Sequence, residues 1–194
     1  MRVKLITAPT IEPVSPAEAK DHLRIDISDE DTVVSAMVTA AREHVEDVTR
    51  RALLTQTWDY YLDAFPPGNA IVLPFGNLAS VTSVKYKDDD GTETTMVVTT
   101  EYIVETNGEG FGRIVLPYGV TWPSFTAYPS NPITIRFVCG WTTAALVPYK
   151  IKAAIKMLCA DMYEMRGEPT VGQTVIENPV VERLLASMRL WGNF

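Results

Sequence analysis

Apolar residues recur at helical spacing in two long stretches, one in each half of the chain. In both stretches the steps between apolar residues are three or four, which places these residues on one side of an α-helix. The first stretch has Val34, Met37, Ala41, Val45, Val48 and Ala52, and the second has Ile151, Ile155, Leu158, Met162 and Met165. The pattern predicts two long amphipathic helices.

Capping signals predict where helices begin. Ser15 is followed by proline and, three residues later, by glutamate, which is typical of a capping box and predicts a helix over 16–23. Ser28 precedes three carboxylates and predicts the start of the first long helix. Asn178 precedes a proline and predicts a final helix that ends near Leu190.

Between the long helices the chain changes to short β-branched and aromatic runs, separated by Gly, Pro and Asn. These runs lie at 55–62, 71–73, 81–86, 92–99, 102–104, 113–116 and 133–138. We expect an antiparallel β module, inserted over approximately 65–141 into a single domain that spans 1–194. The predicted fold class is α+β, with a mainly helical subunit.

The final helix is too short to be stable alone, so residues 175–194 are predicted to form a C-terminal docking segment. Docking on the core of its own subunit and docking on another protein molecule both stay open, and we predict the intermolecular contact, with the isolated subunit holding the helix loosely. The tryptophans near loops and at the terminus present the same choice. The candidate interface residues are Trp122, Trp141, Leu184, Leu185, Met188 and Trp191.

Composition narrows the classes of function. The 194 residues include 17 Lys and Arg against 24 Asp and Glu, which gives a net charge of −7. This acidity argues against a domain whose main task is to bind nucleic-acid phosphates. Two cysteines cannot build a disulfide framework, and no apolar run approaches the roughly 20 residues that span a bilayer. We expect no secretory signal and no membrane association.

The residues that most often carry chemistry form no recognisable site. His22 and His44 lie on separate predicted helices without metal-ligand spacing, and Cys139 and Cys159 fit buried small hydrophobes. The acidic run 88–91 is predicted to be a hairpin tip, and the glycine-rich run 108–112 a turn between strands. We therefore expect no catalytic residue, metal site or cofactor. The alternative is an enzyme that acts on a small molecule or a polysaccharide and uses paired carboxylates as acid and base. Such pairs are Asp59 with Asp63 and Glu101 with Glu105.

Several structural motifs, taken in order, resemble the head-to-tail connector (adaptor) family of tailed phages, which is also found in prophages and gene transfer agents. The first is the capped opening of the 16–23 helix, and the second is the arginine-ended helix that leads into Leu54-Thr55-Gln56-Thr57-Trp58. The third is the stretch from Leu73-Pro74-Phe75-Gly76 to Tyr86, and the last is the strand-to-helix junction around Trp141 and Pro148.

This resemblance implies a structural virion protein without catalysis. It implies that subunits self-associate into a ring, twelve-fold, beneath the portal protein, and that DNA passes through the ring without sequence-specific binding. The partners would be the portal and the next neck or tail-completion protein. The chain would reside in the virion neck, and in the host cytoplasm during assembly. The alternative to the connector role is a DNA-packaging accessory protein that binds DNA.

Overall fold

In the computed structural model of the chain, which describes residues 2–165 and 178–192, eight β-strands and four α-helices succeed one another. The strands are β1 (Arg2–Thr7), β2 (Gln56–Leu62), β3 (Ala70–Gly76), β4 (Leu78–Lys87), β5 (Glu93–Thr95), β6 (Ile103–Glu105), β7 (Phe111–Val115) and β8 (Ile133–Cys139). The helices are α1 (Pro16–Leu23), α2 (Asp31–Thr49), α3 (Tyr149–Glu164) and α4 (Pro179–Ala186), with a 3-10 turn at Ala144–Leu146.

The prediction of a mainly helical subunit is wrong. Helix accounts for 30% and strand for 31% of the described part of the chain, so the fold is an even mixture of α and β. The physical reason is that α2 and α3 each carry a long, regular apolar stripe, whereas most strands are short. Helical periodicity is therefore easier to detect in the sequence than short strands are, and the sequence analysis overestimated the helical fraction of the chain.

The strands form two antiparallel sheets within one compact unit, which comprises Met1–Pro9, Thr55–Gly140 and Leu190–Phe194. The larger sheet has the order β1-β2-β8-β4-β5, and the smaller has the order β3-β7-β6. Sequence analysis missed β1, which pairs with β2 so that Val3 lies opposite Tyr60. Most side chains of β1 are exposed, so it lacks the alternation that identifies a strand.

Alternation along β8 separates the core of this unit from its surface. Ile133, Ile135, Phe137 and Cys139 are completely buried on one face, while the intervening side chains point to the other face. The ring of Phe75 on β3 lies 6.5 Å from that of Phe137, so the two sheets share aromatic packing.

The helices belong to the second unit, Thr10–Leu54 with Trp141–Arg189, which has a separate hydrophobic core. The capping box predicted at Ser15 is confirmed, because its Oγ accepts from the Glu18 N–H at 3.1 Å and the Glu18 carboxylate accepts from the Ser15 N–H at 2.9 Å. The predicted cap at Ser28 is wrong, since α2 begins at Asp31 and Glu30 is its N-cap residue. The core residues are Val14, Ala19, Val34, Val38, Ala41, Val45, Leu53, Leu54, Val147, Ile151, Ala154, Ile155, Cys159, Val181 and Leu185.

A buried ion network fixes the chain on both sides of α2. Arg42 is buried, and its guanidinium binds Glu12 at 2.9 Å and Glu46 at 2.6 Å. The second oxygen of Glu46 accepts from the N–H of Leu53 at 2.8 Å. Burial disfavours the charge on Arg42, but the two carboxylates outweigh it and raise the pKa of the guanidinium. The network thus joins the segment before α1 to the turn after α2.

Candidate functional site

The two histidines and two cysteines lie on four different elements of the fold. His22 and His44 are exposed, on α1 and α2. Cys139 and Cys159 form no disulfide and have no exposed surface, and burial raises the pKa of Cys159 to about 11. Across residues 2–165 and 178–192, no group of three His, Cys, Asp or Glu residues has a geometry suited to a metal ion.

The first carboxylate pair of the alternative enzyme is divided between two arginines. Asp59 is only 4% exposed, and both its oxygens accept from Arg136, at 2.7 and 2.8 Å. Asp63 forms an exposed ion pair with Arg2. Because each carboxylate is bound by a different guanidinium, the pair has a structural explanation in the sheet.

The second carboxylate pair is used in the same way. Glu101 accepts a hydrogen bond from the backbone N–H of Val97, and Glu105 pairs with Arg113 across β6 and β7 at 2.5 Å. An exposed cross-strand ion pair stabilises a sheet modestly. The carboxylates of both pairs therefore act as contacts of the fold.

The two loop motifs are turns, as the sequence predicted. Asp88 closes the acidic turn, since its Oδ1 accepts from the Thr92 N–H at 2.8 Å and its carbonyl accepts from the Gly91 N–H at 3.0 Å. The glycine-rich run connects β6 to β7, and Asn107 stabilises it by donating to the carbonyl of Phe111 at 3.0 Å. Neither turn opens a helix, so neither presents a row of backbone amides to a phosphate.

Trp122 belongs to an aromatic cluster at the surface of the sheet unit. Its ring stacks on Phe65 with a centroid distance of 4.8 Å, and its indole N–H donates to the carbonyl of Gly68 at 2.7 Å. Phe125 packs against both Phe65 and Tyr86. A groove of about 310 Å³ lies beside these rings and is lined by Phe65, Trp122 and Phe125. The four aromatic residues of this cluster are partly buried.

Trp141 and most of the C-terminal candidates pack within the helical unit. Trp141 is half-buried against its core and forms a bridge with Leu54. Leu185 is 1% exposed, and Leu184 and Met188 pack beside it. Arg51 donates to the carbonyl of Met188 at 2.8 Å. The structure thus places α4 on the core of its own subunit.

Trp191 differs from the other candidates because it is 80% exposed. The outer face of α4 is also accessible, since Val180 is 45% exposed and Arg183 and Ala186 are exposed. These three residues lie at helical spacing on one side of α4. The C-terminal segment therefore has both a buried face and a solvent face.

Sequence analysis missed a groove of about 960 Å³ between α1 and α2. Small side chains line it, among them Ala17, Ser35 and Ala36, so two helix backbones stay accessible along its length. Carboxylates concentrate at the end where the two helices connect. They belong to Asp21, Asp26 and Asp31.

The electrostatic balance of this groove is negative. Lys20 is the only cation among its lining residues in the described chain, and it pairs with Asp31 at 2.5 Å. Asp21 and Asp26 are exposed at the rim. The groove therefore suits a partner with small apolar and basic side chains.

None of the helices in the described ranges is long and apolar enough to cross a membrane.

Comparison with protein families matches residues 17–103 to the family described as Phage gp6-like head-tail connector protein. No curated protein sequence matches the chain. The family match confirms the resemblance inferred from the sequence motifs. The matched segment includes α1, α2 and the strands from β2 to β5.

Solved structures share the fold over the whole chain. One is described as "Neck of empty GTA particle computed with C6 symmetry", with a TM-score of 0.81, 24% identity, and coverage of 100% of this chain and 98% of that chain. A chain from "Virion of native gene transfer agent (GTA) particle" has a TM-score of 0.80 at 22% identity, with the same coverage of 100% and 98%. A chain from "Neck of native GTA particle computed with C12 symmetry" has a TM-score of 0.77 at 22% identity, again covering 100% and 98%.

Proposed function

We propose that this chain, which matches the head-tail connector family over residues 17–103, is a structural connector in the neck of a phage or phage-like particle. The family match is the observation that carries the proposal. The fold supports it, because chains from gene transfer agent necks share the architecture from end to end. The four carboxylates of the two candidate pairs each bind another group of the fold, which is compatible with a protein that acts by assembly.

The connector would act as a ring of identical subunits. The similar chains come from necks described with C6 and C12 symmetry, which supports a twelve-fold ring for this chain. In this role the ring lies beneath the portal protein, binds the next neck or tail-completion protein, and surrounds the path of the DNA. It is assembled in the host cytoplasm and carries out no reaction.

The net charge of −7 is compatible with a DNA conduit. DNA must slide through such a ring during packaging and ejection, and a basic grip on its phosphates would oppose that movement. We therefore expect the purified chain to bind duplex DNA weakly. An electrophoretic shift that weakens steeply with salt would instead favour the DNA-packaging accessory protein.

The test is to delete the gene in a strain that produces the particles and to examine what is assembled. We expect heads that lack attached tails, with assembly restored by the wild-type chain supplied in trans. Mass spectrometry and cryo-electron microscopy of wild-type particles should find the chain in the neck. Normal tailed particles without the chain would overturn the proposal.

A further inference from the structure

We infer that the outer face of α4 in one subunit docks into the α1–α2 groove of the next subunit. The inference rests on the proposed ring function, because it names the two surfaces that join neighbouring copies. It concerns accessible surfaces of the helical unit, so it leaves the buried face of α4 in the core described above. The occupant of the groove is thus a second copy of this chain.

The shape of the groove suits a short helix. The groove has a volume of about 960 Å³ and is open to solvent, so an incoming helix can reach it from the side. Ala17 and Ala36 leave space for the backbone of an incoming helix to approach closely. Val33, Ala36 and Ala40 are exposed on α2 at intervals of three and four, so this helix presents a weakly apolar stripe to solvent.

The charges on the two surfaces are complementary. Asp21 and Asp26 make the rim of the groove acidic. The described C-terminal residues 178–192 carry Arg183 and Arg189 against one carboxylate, Glu182, and are therefore net basic. Val180 and Ala186 flank Arg183 on the exposed face of α4 and match the small apolar floor of the groove. DNA is a poorer occupant, because the same rim repels phosphates.

The pairing of unlike surfaces selects a head-to-tail contact. Two grooves facing each other would oppose acidic rims, and two α4 faces would oppose arginines, so a two-fold dimer through either surface is disfavoured. A contact that joins different surfaces on each copy repeats around an axis and closes into a ring when the rotation permits. The inferred interface therefore yields the kind of symmetry that a neck ring requires.

Single-cysteine cross-linking tests this contact in the full-length chain. Thr32→Cys places a thiol in the groove, Ala186→Cys places one on the exposed face of α4, and both native cysteines are buried. Under oxidising conditions, an equimolar mixture of the two variants should form the disulfide-linked dimer about tenfold faster than either variant alone, because docking raises the effective thiol concentration. A chain with both substitutions should give a ladder whose highest band is the ring.

Charge reversal then tests the complementarity. In the cysteine background, Asp26→Lys or Arg183→Glu should abolish the rapid link, and their combination should restore it. The matched control is Asp90→Lys, which makes the same change of charge at the exposed hairpin tip and should leave the link unchanged. High salt should slow the link in the unsubstituted background.

The outcomes separate this inference from the connector role. Absence of the link both in solution and in particles that contain the chain overturns the interface and leaves the connector function standing. A link between two groove cysteines, or between two α4 cysteines, also overturns it. A link in solution with no chain in the particles supports the interface and refutes the neck location.

Discussion

Asp59 on β2 and Arg136 on β8 lie directly opposite each other and form two parallel hydrogen bonds of 2.7 and 2.8 Å. The carboxylate is buried, whereas the guanidinium is partly exposed. Hydrogen bonding to Asp59 and its charge raise the pKa of Arg136. The pair therefore stabilises the centre of the larger sheet through a desolvated acceptor.

We expect Asp59→Asn to lower the free energy of unfolding by about 1–3 kcal/mol, because an amide cannot accept both hydrogen bonds from the guanidinium. Urea unfolding followed by circular dichroism measures this change. The control is Glu105→Gln in the exposed pair with Arg113, for which we expect a loss below about 1 kcal/mol. Equal losses at both sites would refute the structural role assigned to the buried pair.

Gly112 permits the close approach of β7 to β4. A Cβ atom at this position would lie 2.1 Å from Cδ2 and 2.6 Å from Cβ of Leu78. We expect Gly112→Ala to destabilise the protein by about 1–3 kcal/mol through overpacking. Gly68→Ala is the matched control, because no atom lies within 4 Å of its Cβ position. Thermal melts of the two variants should differ, and a neutral Gly112→Ala would contradict the packing described here.

The buried face of α4 should contribute to the stability of the isolated subunit. Leu185→Ala leaves a cavity in the core and should cost about 2–5 kcal/mol. Val180→Ala, at an exposed position of the same helix, should change the free energy of unfolding by less than about 0.5 kcal/mol. Equal melting temperatures for wild type and Leu185→Ala would indicate that the helix does not pack on its own core.

The thiol of Cys159 should be inert in the native protein. Burial raises its pKa to about 11, so at pH 8 the reactive thiolate is scarce as well as inaccessible. A chromogenic disulfide reagent should therefore label the cysteines of the wild-type chain no faster than the protein unfolds. Thr92→Cys adds an exposed thiol as a positive control and should react at once. Rapid labelling of the wild type would refute the burial of both cysteines.

The capping box of α1 should give a pH-dependent contribution to stability. Hydrogen bonds from Ser15 hold the pKa of Glu18 below its usual value of 4.5, so the contribution is present above that pH and is lost as pH falls through the lower folded-state pKa. Ser15→Ala should cost about 1 kcal/mol at pH 7. Glu18→Gln removes the ionisable group while Ser15 is kept, so its loss of stability relative to the wild type, measured by urea unfolding, should shrink on acidification; a constant loss would show that ionised Glu18 does not stabilise the cap.

Local signals predicted the helices better than the sheets. Ser15 and Asn178 act through residues within three positions, so their capping roles can be inferred from the sequence. Ser28 shows the limit of such inference, because three carboxylates after a serine do not fix which residue begins the helix. The strand β1 could not be recognised, since its partner β2 lies some fifty residues away and its own pattern is mostly exposed.

The surfaces were harder to predict than the core. Leu184, Leu185 and Met188 are apolar members of one helix, and sequence alone left their partner open between the same subunit and another. Packing in three dimensions assigns Leu185 to the core. The α1–α2 groove depends on the separation of two helices, for which the alanines at 17 and 36 are the only local signal. No sequence motif predicts the distance between α1 and α2.

The long stretch of sequence between β1 and its partner β2 has a consequence for synthesis on the ribosome. β1 emerges first, but β2 follows only after α1 and α2, and β8 must be made before the larger sheet gains its central strand. The first two helices likewise wait for α3 and α4 to complete their core. Contacts this distant in sequence slow folding. A nascent chain therefore exposes unpaired strand edges and apolar helix faces until α4 has been synthesised.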